Sequence, residues 1–117
     1  MATYEGRVTP GEMNWTVTVD KRPLNPRTDL FNHSPSGFSW GYNGSGPAQC
    51  ALAILAHHLW RTRDLPKARA DAEALRLHQD FKAAVIARLP KDQDFTLTSE
   101  QVEAALPDLR RSRMRSV

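Results

Sequence analysis

From Ala48 to Leu59 the apolar residues fall at helical spacing. Ala48, Ala51, Leu52, Leu55 and Leu59 form one stripe, and Ala53, Ile54 and Ala56 widen it until only His57 and His58 interrupt it. A helix apolar on most of its sides is predicted to be buried. Ser45 and Pro47 read as its start, the serine as cap and the proline in the first turn. Upstream, Thr3 to Val8 can form a strand, with turn chemistry from Val8 to Glu12. Asn14 to Asp20 alternates, with Trp15, Val17 and Val19 on one side and Thr16 and Thr18 on the other, as in a half-buried antiparallel strand. Asp20-Lys21 predicts a tight turn into Arg22-Pro23-Leu24, although lysine is not a residue that a positive-φ turn favours.

The remaining pattern is helical apart from connectors. Phe38, Trp40 and Tyr42 alternate and predict one more short strand. A second helix is expected from Pro66, capped by Asp64, with Ala74, Leu77, Phe81, Ala84, Val85 and Leu89 inward as far as Leu89-Pro90, and with His78, Asp80 and Lys82 on its exposed flank. Thr98-Ser-Glu-Gln101 has capping-box spacing and opens a third helix through Val102, Ala105 and Leu106 to Pro107. Phe95 and Leu97 are expected to pack beneath the charged connector from Lys91 to Asp94. The expected architecture is α+β, a small N-terminal antiparallel sheet of two or three strands packed on two long helices and one short C-terminal helix. One domain is expected over residues 1–109, followed by a flexible basic tail over 110–117.

Composition narrows the class. The single cysteine, Cys50, excludes an internal disulfide and suits a reducing compartment. The N-terminus has no signal-peptide pattern and no apolar run approaches membrane length, so the expected location is cytoplasmic, with no membrane partner. The net charge of +3 resides in the tail: Arg110, Arg111, Arg113 and Arg115 against Asp108 already give 4 − 1 = +3. The basic pI therefore describes the tail, a candidate for non-specific nucleic-acid contact.

Several segments match an uncharacterised family. The run from Asn32 to Leu59, NHSPSGFSWGYNGSGPAQCALAILAHHL, is joined by Tyr4 to Arg7, Val19 to Leu24, and Phe81-Lys82 followed by Leu89-Pro90. Together they resemble the small proteins grouped as domain of unknown function 6166, over nearly the whole chain before Arg110. The resemblance implies a setting in bacteria, archaea, phages and other mobile elements, and assigns no catalytic residue. Lys21 stands where that family has a turn glycine. Cys50 stands where it has leucine, which marks Cys50 as a small core residue.

Candidate chemistry concentrates in the central block. Gly44, Ser45, Gly46 and Gln49 could hold an anion at a helix N-terminus, but no Gly-Lys-Ser/Thr follows and Pro47 removes a donor. The competing reading, which the composition favours, is a tight turn bringing an aromatic segment onto the core helix. His33, His57, His58 and His78 offer no metal-ligand spacing, and neighbouring histidines on a helix diverge by about 100°. No metal or other cofactor is expected. Ser34, Ser36, Ser39 and Ser45 lack a nucleophile-elbow context, so no catalytic set is assigned and an enzyme is not the expected class. Trp40, Tyr42 and Asn43, with Arg27 and His33, form the candidate partner-binding group. The expected function is non-enzymatic binding of a host protein or nucleoprotein complex by a protein of phage or mobile-element origin, for example an anti-CRISPR-like inhibitor of host defence. The alternatives are a small anion- or nucleotide-binding module at the glycine turn, and nucleic-acid binding through the arginine tail.

Overall fold

The computed structural model describes residues 2–9, 11, 14–35 and 37–106. The arginine-rich tail, Pro107, Ser36 and part of the predicted turn from Val8 to Glu12 lie outside these residues.

The fold is α+β. Strands β1 (Thr3–Thr9), β2 (Asn14–Val19), β3 (Arg22–Pro23) and β4 (Phe95–Thr98) form one antiparallel sheet in the order β3-β2-β1-β4. The Asp20-Lys21 turn has both residues at positive φ, 50° and 71°, the backbone of a type I′ hairpin. Asp20 adapts by accepting the Thr3 amide on Oδ1 at 2.9 Å, and the Lys21 ammonium lies 2.8 Å from Glu5. Val19, Tyr4 and Leu97 are cross-strand neighbours, as are Val17, Gly6 and Phe95. Gly6 has no room for a side chain, because a Cβ there would overlap the Phe95 ring and approach Trp40 at 2.9 Å.

Helix α1 (Ser45–His57) is buried on every side from Gly46 to Ala56, which is why its apolar residues exceed a single stripe. It packs along α2 (Lys67–Ala84) and continues through a π turn, His58–Thr62. Helix α3 covers residues 99–106 of the described chain. Its capping box forms as the spacing predicts: Thr98 Oγ1 accepts the Gln101 amide at 3.2 Å, and Gln101 Oε1 accepts the Thr98 amide at 2.9 Å.

Some expectations are corrected. Residues 37–40 form no strand, since Gly41 turns the chain at φ 84° and donates its amide to the Ile86 carbonyl. The additional strand is β4 instead, whose Phe95 and Leu97 face the core. Helix α1 is capped at Gly44 in extended backbone without a side-chain cap, so Ser45 is not the cap. Helix α2 begins after Pro66, and Asp64 has a left-handed φ of 58° rather than a capping role. It ends at Ala84 because Val85 leaves helical geometry (φ −127°), and Ile86–Arg88 follow as a 3₁₀ turn. His78 is buried, not on an exposed flank.

Candidate functional site

The N-terminus of α1 is where loop, sheet and helices meet, and Gln49 holds it together. Its side chain is fully buried one turn inside the helix. Oε1 accepts the amides of His33 at 2.7 Å and Ser34 at 3.2 Å, while Nε2 donates to the Pro26 carbonyl at 2.6 Å. Gln49 therefore supplies the loop backbone with the partners that burial would otherwise remove. Gly46 lies against Ser39, where a Cβ would overlap the serine hydroxyl. That hydroxyl in turn hydrogen-bonds the Tyr42 hydroxyl at 2.8 Å. Two members of the anion candidate group thus have internal roles, Gln49 as a clamp and Gly46 as a close approach. Ser45 is exposed and Gly44 half-buried.

The candidate partner-binding residues separate by environment. Arg27 is buried at a left-handed φ of 57°. Its guanidinium forks onto Asp71 at 3.1 and 2.9 Å and onto Asp29 at 3.0 and 3.2 Å. Hydrogen bonds from Arg27 hold the Asp29 carboxyl below its usual range. At Asp71 burial opposes ionisation, but the bonds and charge of Arg27, joined by Lys67, outweigh it. Trp40 is buried, edge-on to Phe95 at 4.8 Å, with its indole N–H donating to the Gln93 carbonyl at 2.8 Å. Both residues are tied into the scaffold. Tyr42 and Asn43 are exposed, and the Lys91 ammonium lies 5.7 Å from the Tyr42 ring centroid.

His33 links the loop to α2. Phe31 stacks on its ring at 4.2 Å, and its Nε2 lies 2.9 Å from Nε2 of His78. His78 Nδ1 faces the carbonyls of Leu75 at 2.8 Å and Ala74 at 3.2 Å, which can only accept. With that nitrogen donating, a neutral His78 accepts on Nε2, and His33 is the Nε2–H donor. Burial, then the charges of His78 and Lys82, hold the His33 pKa below its ordinary 6.5.

Two further histidine contacts escaped the sequence reading, although the His57-His58 pair signalled polarity at the end of a buried helix. His57 Nδ1 meets the Tyr4 hydroxyl at 2.8 Å. His58 is fully buried in the π turn, where its Nε2 donates to Glu103 at 2.7 Å; Arg63 pairs with the other Glu103 oxygen. Burial opposes the Glu103 charge, but His58 and Arg63 keep its pKa low. His58 Nδ1 is a buried atom with no hydrogen-bond partner among the described residues.

Cys50 is wholly enclosed and burial pushes its thiol pKa up, the opposite of an activated nucleophile. Among the described residues no three His, Cys, Asp or Glu side chains are grouped to hold a metal ion. No helix there is long and apolar enough to cross a membrane. The arginine candidates Arg110, Arg111, Arg113 and Arg115 lie outside the described residues.

A family model described as a family of unknown function, DUF6166, matches residues 4–108. No curated protein and no solved structure matches the chain.

Proposed function

The chain belongs to the DUF6166 family, and from that premise we propose that it works by non-enzymatic contact with a macromolecular partner, a host protein or nucleoprotein complex. One observation carries this reading. The large hydrophobic side chains left exposed among the described residues are Phe31 at 53%, Tyr42 at 43% and Leu75 at 36%; Phe31 lies within the loop that Gln49 clamps and Tyr42 shortly before α1. Both are held before any partner arrives, Phe31 by stacking on His33 and Tyr42 by its bond to Ser39. An aromatic side chain already fixed in place loses little conformational freedom on binding, which suits it to anchor an interface. The narrower form of the proposal is a cytoplasmic protein carried by a phage or other mobile element that blocks a host defence effector, of the anti-CRISPR kind. It rests on the family's setting.

An anion site at the glycine turn is supported less, because Gln49 and Gly46 already serve the fold. The test is affinity capture from host lysate, followed by reconstitution with the purified partner. Wild type should retain a defined partner, and the Phe31→Ser, Tyr42→Ser protein should lose it while melting at an unchanged temperature. A partner held equally by both proteins, or none held by wild type, would sink the proposal.

A further inference from the structure

A cleft of about 980 Å³ opens between the β2–β3 hairpin and the end of α1. That is the upper end of the range that encloses a small organic ligand. Its lining includes Pro23, which is exposed, and the accessible edges of Val19 and Leu24, so part of the wall suits an uncharged organic group.

The charges around it are unequal. Arg22, Arg27, Arg61 and Lys67 line the cleft with Asp20 and Asp29, a balance of 4 − 2 = +2 with His57 neutral. Both acids already have partners, Asp20 in the Thr3 amide and Asp29 in Arg27. Arg27 is also held by Asp71, and Lys67 lies 3.4 Å from the same carboxylate. Arg22 and Arg61 are exposed and have no carboxylate partner among the described residues. The Arg61 guanidinium instead lies over the Trp60 ring at 4.9 Å, which steadies it at the rim.

His57 adds a ring nitrogen at the cleft wall. Burial, reinforced by the charge of Asp20, pushes the Tyr4 pKa far up, so the hydroxyl keeps its proton and can donate it to His57 Nδ1, 2.8 Å away. In the tautomer that accepts from Tyr4, the neutral imidazole carries its single proton on Nε2, which has no partner among the described residues. Burial and the neighbouring Arg61 hold the His57 pKa below 6.5, so the ring adds no charge to the cleft at neutral pH.

We infer that this cleft binds a small phosphate ester with an apolar ring, of mononucleotide size, with Arg22, Arg61 and the Nε2–H of His57 facing the phosphate and Val19, Pro23 and Leu24 facing the organic group. Two planar guanidiniums and a ring N–H offer more donors than the two oxygens of a carboxylate need, and they match a phosphate with three terminal oxygens. Inorganic phosphate alone would leave the apolar wall uncovered. Among the described residues the cleft has two unpaired arginines, not the extended basic track that a nucleic-acid strand requires. This site does not depend on the macromolecular contact proposed above.

The test is calorimetric titration of the full chain with AMP, CMP, adenosine and inorganic phosphate. A mononucleotide should bind saturably, and adenosine and phosphate should each bind at least about tenfold more weakly. Arg22→Ala and Arg61→Ala should each weaken the mononucleotide by about tenfold or more, the usual effect of losing a charged hydrogen bond. Both residues are exposed, so the ligand-free variants should melt as wild type. Four results would overturn the inference: no mononucleotide binding at millimolar concentration, phosphate binding as well as AMP, undiminished binding by both arginine variants, or binding of an oligonucleotide but no mononucleotide.

Discussion

Gln49 illustrates how a residue can carry a motif without carrying chemistry. In the sequence it sits beside glycines at a helix N-terminus, which is the pattern of an anion site. Only the tertiary path of the loop from Pro26 to Ser34 reveals that its amide is occupied by backbone groups. Cys50 was legible, because a small residue among alanines and leucines in the first turns of an apolar helix belongs to the core. The histidine contacts were not, since the partners lie 45 to 53 residues apart. They have a measurable consequence. His33 and His57 both have folded-state pKa values below the ordinary 6.5, so the unfolded chain takes up protons first as the pH falls. Stability is therefore full above about pH 6.5 and declines as the pH drops through that value towards the folded-state pKa values. The melting temperature is expected to fall between about pH 7.5 and 5.5, and to fall less in His33→Gln. Equal slopes for the two proteins would mean that His33 does not contribute.

At the scale of elements, regular local patterns transferred well and broken ones did not. The alternation of β2, the spacing of α1 and the capping box of α3 all form as their residues require. Phe38, Trp40 and Tyr42 alternate too, yet form no strand, because the turn at Gly41 and its bond to Ile86 take the chain away from the sheet. Phe95 to Thr98 alternates over only four residues, and its pairing partner β1 lies at the other end of the chain. The hairpin between β2 and β3 offers a direct test. Lys21 holds a left-handed φ of 71° that a side chain with a Cβ disfavours by about 1 kcal/mol or more. Its ion pair with Glu5 joins a lysine side chain that is 82% exposed, and such pairs return little. Lys21→Gly is therefore expected to raise the melting temperature by a few degrees. A lower melting temperature would show that the ion pair outweighs the backbone strain.

Across the whole molecule, the central block works as a keystone. Helix α1 is enclosed from Gly46 to Ala56, α2 lies along it, and its first turns fasten the loop that presents Phe31 and Tyr42. Among the described residues, the exposed aromatics and the cationic cleft at the other end of α1 are the surfaces proposed for recognition. The fold class was readable because a helix of this apolarity must be enclosed, and few arrangements of two or three helices and a small sheet enclose one. The cleft was not readable, because its lining comes from β2, β3, the end of α1, the π turn and the start of α2. The keystone role is tested most directly by amide hydrogen exchange at His33 and Ser34, whose N–H groups meet the Gln49 side chain. Both amides are expected to be as protected in wild type as those of α1, and to exchange rapidly in Gln49→Ala while the amides of β1 and β2 stay protected. Rapid exchange at both positions in wild type, or protection unchanged by Gln49→Ala, would contradict it.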